Sequence, residues 1–561
     1  MRKNDRNMIE MDARVMKKIV TVALTLVFTA TLFAQVPDQS KVIAGAERAV
    51  ENAAKRSPAN APGCSVGVSL DGKSVFEKGF GMAEMEYQIP ITPKTIFESG
   101  SVAKQFTAAA IVALSLDGKL GLDDPVKKHI AEMPDYGVPL TIRHLLNHTG
   151  GLRDWGSVVG LTGVGRGDRV VSQAYAIDLI TRQKNLDFVP GAEYSYSNSG
   201  YNLLAEIVER VSKKKFPAFV DERFFKPLGM TNSSWRADYQ RIVPGRAQAY
   251  EGDLAGPWRL NMPFMNVYGN GGMLTTVGDW LKWNAMLDSK SMGAPLVDAL
   301  ETVGVLNDGR KIEYALGVTV SKQNGFRQVS HNGSTAGYQT ALSRYPDLKL
   351  SIAVMCNVTS RDPTGLERSI FTEIMGPFPT AAQPEAFKVD PESLKKYVGI
   401  WKSERTQMAN RISFENGGLK MNGGVFLPQS DGTFAIGPNR FTFKMENGVP
   451  VTAEANIGGD VRKYTFQKEW TPAADELNAF AGKFYSDEAD ATAEIVVENG
   501  KIFLTQRTTG DRTQLQPLYK DHFEVGEGPG TIVWFTRDPG GKLTMHIGTS
   551  RLRDMPFAKI N

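Results

Sequence analysis

Strand character appears in this chain at two places far apart in sequence. CSVGVSLDGKSVFEKGFG (64–81) alternates apolar and polar positions around Asp71-Gly72, the pattern of a β-hairpin. The same character returns in QVSHNGS (328–334), GYQTALSRYP (337–346) and LKLSIAVMCNV (348–358), with a turn at Pro346-Asp347. Between the two groups the pattern is helical: TIRHLLNHTGGL, NSGYNLLAEIVERVSKK and TVGDWLKWNAML carry the 3.6-residue period, and Gly150-Gly151 and Gly271-Gly272 mark turns. GLERSIFTEIMG (365–376) reads as a closing helix. Strands from both ends of one segment must meet to be paired, so the expectation is a single antiparallel sheet with helices packed on it, an α/β (α+β) domain.

With 561 residues the chain exceeds one hydrophobic core. PFPTAAQPEAFKVDPE (377–392) is rich in Pro and Ala and reads as a linker. Beyond it lie short strands with Gly turns. LKKYVGIW begins at Leu394 and LNAFAGKF at Leu477, and each is followed by a strand and an Asn-Gly turn, ENGGLKM and ENGKIFL. Such a repeat fits two small all-β barrels or meanders. The expected division is 1–34 signal peptide, 35–378 first domain, 379–392 linker, 393–472 first β domain and 473–561 second β domain.

Met16-Lys17-Lys18 precedes the apolar run IVTVALTLVFTATLFA (19–34), too short for a membrane span and suited to a secretory signal ending at Ala34, with Met16 as an alternative start. The mature chain is then expected in the periplasm or outside the cell, with no membrane span. Lys and Arg total 65 against 61 for Asp and Glu, spread along the chain, which argues against a nucleic-acid partner. The two cysteines, Cys64 and Cys356, each fall in an apolar strand; two buried thiols are the favoured reading, and spacing alone leaves a disulfide open. The histidines show no metal-ligand spacing, so no metal or other cofactor is expected.

ESGSVAKQFTAAAIVALSLDGKL (98–120) is a helix apolar on nearly every side, yet Ser101 and Lys104 occupy its first turn. A serine hydroxyl needs a base to become a nucleophile, and a lysine at i+3 is within reach; apolar surroundings push that amine toward its neutral form. The helix N-terminus adds backbone N–H groups where an oxyanion would form. Alone, S-x-x-K is weak, because most matches are a cap beside a solvated lysine. Tyr196-Ser197-Asn198 in GAEYSYSNSGYNLL and His331-Asn332-Gly333 in VSHNGSTAGYQT add a proton relay, a carbonyl or lysine holder and a polariser. Each has a plain rival: a core tyrosine, a turn asparagine, a strand histidine.

S-x-x-K, then Y-x-N, then [KH]-x-G on a late strand resembles the serine β-lactamase and penicillin-binding-protein superfamily. The flanks LLNHTGGL, FFKPLGMTNSSW and YGNGGMLTTVGDW resemble its branch of class C β-lactamases, D-alanyl-D-alanine carboxypeptidases, D-aminopeptidases and esterases. The resemblance spans about 45–375. It implies Ser101 as acylated nucleophile, Lys104 and Tyr196 as the proton-transfer pair, Asn198, His331 and Gly333 as substrate-side residues, and an oxyanion hole from the N–H groups of Ser101 and Ser334. His148 resembles a structural loop position. The third motif departs from the lactamase pattern, since His331 stands where a lysine would present a fixed charge to a substrate carboxylate.

The expected function is a secreted serine hydrolase that forms an acyl-enzyme and cleaves amide or ester bonds, with D-amino-acid peptides or small esters favoured over β-lactams. A class C-type β-lactamase and a penicillin-binding sensor or scaffold with little turnover are the alternatives. The two β units are expected to serve as lid, wall-binding module or homodimer contact. Gly63-Cys64-Ser65-Val66-Gly67 matches the nucleophile elbow of α/β-hydrolases, but strand alternation continues through it, so Ser65 reads as an ordinary strand residue.

Overall fold

The computed structural model describes residues 36–162, 170–378, 387–437, 439–506, 510, 512–526 and 530–560. The signal-peptide segment 1–34 and most of the Pro/Ala linker, 379–386, lie outside the described residues.

Helix α1 (Gln39–Ala54) leads into β1 (Cys64–Leu70) and β2 (Lys73–Phe80), the hairpin around Asp71-Gly72. The later strands are β3 (Thr319–Gln323), β4 (Phe326–Thr335), β5 (Tyr338–Tyr345) and β6 (Leu350–Cys356). All six join one antiparallel sheet in the order β3-β4-β5-β6-β1-β2, so the closing pair β6–β1 unites the two ends of the domain. Alternate residues of the central strands serve opposite faces. On one face Cys64, Val66, Val68, Ile352 and Val354 pack under α1 and the helix Pro363–Met375. On the other face Ala353 and Met355 join the cluster that surrounds the helix Lys104–Leu116. Both faces being covered explains why β1 and β6 are buried along nearly their whole length, their serines included.

β1 and β6 place Cys64 opposite Cys356, and the two are joined in a disulfide. This corrects the expectation of two free buried thiols. The physical reason is register: neighbouring antiparallel strands put directly opposed residues within disulfide reach, and a sequence separation of 292 hides that pairing from the sequence.

The segment 98–120 is not one continuous α-helix. A tight 3₁₀ turn, Gly100–Ala103, precedes the α-helix Lys104–Leu116, of which Lys104 through Leu114 are all buried. In a 3₁₀ turn residues i and i+3 eclipse, which brings residue 104 over residue 101.

After the linker come two closed eight-stranded antiparallel barrels, from Gly399–Ser403 to Asp460–Gln467 and from Gly482–Ser486 to Leu552–Lys559. Gly399 and Gly482, equivalent in the sequence repeat, both adopt φ 143°, and Trp401 and Phe484 two residues on fill the two barrel cores. The second barrel shares its buried core with the first domain. At that junction the buried Arg153 pairs with Glu488 at 2.6 Å, and Arg553 pairs with Glu193 at 2.7 Å. The first barrel is tied in by Arg310–Asp460 and by the Tyr519 hydroxyl, which donates to the Gln407 carbonyl of the neighbouring barrel. Among the described residues no helix is long and apolar enough to cross a membrane.

Candidate active site

Three segments distant in sequence converge on the 3₁₀ turn. The Ser101 hydroxyl lies 3.2 Å from Lys104 Nζ. The amine also meets Asn198 Oδ1 at 2.9 Å and the Asn270 carbonyl at 2.6 Å. Lys104 is fully buried, and that burial drives its pKa well below the ordinary lysine value; Asp154 opposes the shift and Arg551 reinforces it. A neutral amine has two N–H groups and one lone pair. In that form the Asn270 carbonyl and the Asn198 side-chain oxygen, which can only accept, take both protons, and the contact by which the ammonium donates to Ser101 Oγ reverses, the lone pair accepting the Ser101 proton.

Asn198 is locked in that orientation from its far side. Its backbone N–H and Nδ2 donate to Asp154 Oδ2 at 2.7 and 2.9 Å, which leaves Oδ1 for Lys104. The other Asp154 oxygen caps the helix Trp155–Leu161 by accepting from the Ser157 N–H.

The Tyr196 ring lies 4.8 Å from Lys104 Nζ. Burial raises its phenol pKa, so it is protonated; the adjoining Ser101 works against that shift, yet the hydroxyl makes no well-aligned hydrogen bond. His148 stacks against it with ring centroids 4.2 Å apart and accepts from the Ser197 N–H, a packing role for this loop residue.

His331 lies behind Tyr196, centroids 6.2 Å apart. Its Nδ1 donates to the Asn332 carbonyl at 2.6 Å, so Nε2 accepts from the Tyr314 hydroxyl at 2.9 Å. Burial, with Lys104 nearby, lowers its pKa to about 3, so the ring is neutral at ordinary pH. Two residues on, Gly333 carries β4 against the 3₁₀ turn. A Cβ there would sit 2.1 Å from the Ser99 carbonyl and 2.8 Å from Ser101 N. Gly100 (φ 51°) answers from the other side, where an added Cβ would lie 2.5 Å from Ser334 N. Two glycines thus allow the approach that brings the Ser101 and Ser334 amides together.

Ser101, Asn198, Asn270 and Ser334 open on a cleft of about 430 Å³ whose lining also includes Asp154 and Arg551. On its wall the buried Arg236 forms a bidentate pair with Glu98 at 2.8 and 2.9 Å. Ser65 lies elsewhere, fully buried inside β1 with its hydroxyl directed at the Thr92 carbonyl, and the strand runs through it without an elbow.

Sequence reasoning missed Asp154, Asn270 and Arg551. Asp154 carries only a helix-cap signal. Asn270 acts through its main-chain carbonyl, which leaves no trace in residue type. Arg551 sits on a turn of the second barrel, 353 residues beyond Asn198, with no motif around it.

A model of the family described as "Beta-lactamase" matches residues 50–372, more than half of the chain. The chain is 25% identical over 524 residues to a D-aminopeptidase of Gluconobacter oxydans (strain 621H), covering 89% of this chain and 96% of that protein. It is 24% identical over 515 residues to a D-aminopeptidase of Brucella anthropi, covering 89% and 95%. Among solved structures, the octameric penicillin-binding protein homologue from Pyrococcus abyssi aligns with TM-score 0.53 at 22% identity, covering 82% of this chain and 97% of that one. A D-amino acid amidase from Ochrobactrum anthropi SV3 aligns with TM-score 0.50 at 19% identity, covering 59% and 98%. These structural likenesses concern the fold.

Proposed function

Because this chain belongs to the beta-lactamase family and is a serine hydrolase of that fold, we propose that it cleaves the amide bond after an N-terminal D-amino acid through an acyl-enzyme on Ser101. The observation that carries the reading is the buried Lys104 amine, held between the Asn198 side-chain oxygen, the Asn270 carbonyl and the Ser101 hydroxyl, with burial driving its pKa well below the ordinary lysine value.

In the proposed cycle the Ser101 oxygen bonds to the scissile carbonyl carbon as its proton passes to Lys104. The oxyanion is held by the backbone N–H groups of Ser101 and Ser334. Tyr196 gives its proton to the leaving nitrogen as the C–N bond breaks, and Lys104 returns one to Tyr196. Water then attacks the ester, losing its proton to the same pair, and the acid is released with Ser101 restored. The choice of D-aminoacyl substrates rests on the relatives, which match along nearly their whole length. The neutral His331 counts against β-lactams, since the motif offers no fixed cation to their carboxylate.

A fluorophosphonate probe with peptide mapping, run beside a D- and L-aminoacyl amide screen, tests this. The expected result is label on Ser101, hydrolysis of the D series, and loss of both in Ser101→Ala while Ser65→Ala keeps them. Label on Ser65 overturns the site assignment. A stable label on Ser101 with no turnover of any D-aminoacyl amide favours a binding sensor instead.

Export is proposed on two grounds: the basic start and apolar run of 17–34, and a disulfide, a bond that persists in oxidising compartments. N-terminal sequencing of the mature chain from a periplasmic extract, beginning near Gln35, is the check.

A further inference from the structure

The second barrel reaches into the cleft. Its last hairpin, Leu543–Thr549 and Leu552–Lys559, carries Arg551 on the turn, and Arg551 lines the same cavity as Ser101 and Asn198. The turn is tightly held. The Arg551 carbonyl accepts the Asp154 N–H at 3.0 Å, Arg553 donates its N–H to Asp187 Oδ1 at 3.1 Å, and the Arg553 guanidinium grips Glu193.

The Arg551 side chain, by contrast, is exposed, and no carboxylate lies within ion-pair distance of it among the described residues. Other arginines around the junction are engaged: Arg236 with Glu98, Arg153 with Glu488, Arg553 with Glu193. The Arg551 guanidinium carbon rests 4.9 Å from the centroid of the Tyr196 ring. A flat, positively charged fork held over an aromatic face beside a nucleophile is built to meet a planar anion.

The rest of the cleft leaves that task to it. His331 is neutral, and the Lys104 amine is occupied by its three partners. Asp154 spends one oxygen on Asn198 and the other on the Ser157 N–H.

We propose that Arg551 is a specificity residue that binds a carboxylate on the leaving-group side of the substrate, so that the chain prefers dipeptides with a free C-terminus over their amides. The side is assigned by Tyr196, the ring under Arg551, and to that extent the inference rests on the role given to Tyr196 above. The second barrel is then part of the substrate site, and the charge absent from the third motif is supplied from the opposite end of the chain.

The test compares wild type, Arg551→Gln and Arg551→Lys as full-length chains on a D-aminoacyl dipeptide, its C-terminal amide and a D-aminoacyl p-nitroanilide. Arg551→Gln is expected to lower kcat/KM for the free dipeptide relative to that for its amide by about 10- to 100-fold, the worth of one or two charge-assisted hydrogen bonds, mainly through KM. Any change that comes from removing the charge beside Lys104 and Tyr196 is shared by the amide and the anilide, so the ratio isolates the carboxylate contact, and Arg551→Lys is expected to recover part of it. An equal loss on all three substrates, or no loss on the dipeptide, overturns the inference. A binding readout separates it from the hydrolytic reading: the dipeptide and its amide are used to protect Ser101 from the fluorophosphonate. Stronger protection by the free carboxylate, dependent on Arg551, upholds the inference even where turnover is nil, and that outcome defeats only the proposed activity. Equal protection by both ligands, or by neither, defeats the inference.

Discussion

Asp154 Oδ2 accepts two hydrogen bonds from one residue, the backbone N–H and the side-chain amide of Asn198. That double grip decides which end of the Asn198 amide faces Lys104, and so whether the lysine lone pair is free for Ser101. The Asp154 N–H simultaneously holds the Arg551 carbonyl, which links the second barrel to Asn198 and Lys104 through a single residue.

Replacing Asp154 with Asn is therefore expected to affect catalysis more than binding. The new side chain can donate toward Asn198, the Asn198 amide loses its fixed orientation, and kcat should fall by roughly 100-fold, as misplacement of a catalytic group does. The Asp154 charge also raises the Lys104 pKa against burial. Removing that charge lowers the Lys104 pKa further, so the acid limb of the kcat/KM profile should move to lower pH. A pH–rate series on the variant reads both effects; an acid limb that moves upward would contradict the assignment of Lys104 as base.

Gly333→Ala probes the approach of β4 to the catalytic turn. The added methyl would meet backbone atoms, the Ser99 carbonyl and Ser101 N, which have little room to yield. Overpacking of this kind costs about 1–3 kcal/mol. The loss of acylation should exceed what that destabilisation explains, because the two amides are pushed apart. Thermal melting and probe-labelling rates measured together separate the contributions; wild-type labelling in the variant would argue against the Ser101–Ser334 oxyanion pair.

His331 contributes to acid stability, alongside the buried His148 and the partly buried His522, whose pKa values burial also lowers. In the folded chain His331 takes a proton only near pH 3, whereas unfolded it would do so near 6.5. Between those values the unfolded state holds the extra proton, so stability is lost as pH falls through the window, at no more than about 1.4 kcal/mol per pH unit. His331→Gln, which can still accept from Tyr314, should flatten this dependence. Denaturation midpoints from pH 7 to 4 give the comparison, and identical slopes in the two proteins would rule out His331 as a contributor.

Glu488→Ala tests how the second barrel is fastened. It leaves Arg153, 4% exposed, without its 2.6 Å partner, and its remaining carboxylate, Asp187, stands 3.7 Å away. Breaking a buried pair by removing one partner costs about 3–5 kcal/mol, and the looser Asp187 contact puts the expected loss at the lower end. The expected readouts are a lower chemical-denaturation midpoint and, because the Arg551 turn belongs to the same barrel, a raised KM for the free dipeptide. Unchanged stability would mean the interface does not rely on this pair.

The sequence by itself determined the elements and the reactive pair. Period-2 and period-3.6 patterning set the strands and helices, the repeated L-x-x-aromatic-x-G-x-aromatic stretch announced two like β units, and Ser101 with Lys104 lay close enough in sequence for local geometry to join them. The opening turn departs from the expected α-helix, since one short turn can close with i→i+3 or i→i+4 bonds and tertiary packing selects between them. Tertiary structure alone decided what depended on distant partners: the pairing of Cys64 with Cys356, the neutral tautomer of His331, the clamp of Asp154 on Asn198, and the arrival of Arg551 over Tyr196. Each of these is a contact between residues that local patterning cannot relate, because hydrogen bonds, burial and charge act through space, and the chain brings those groups together only when its sheet has closed and its last barrel has docked.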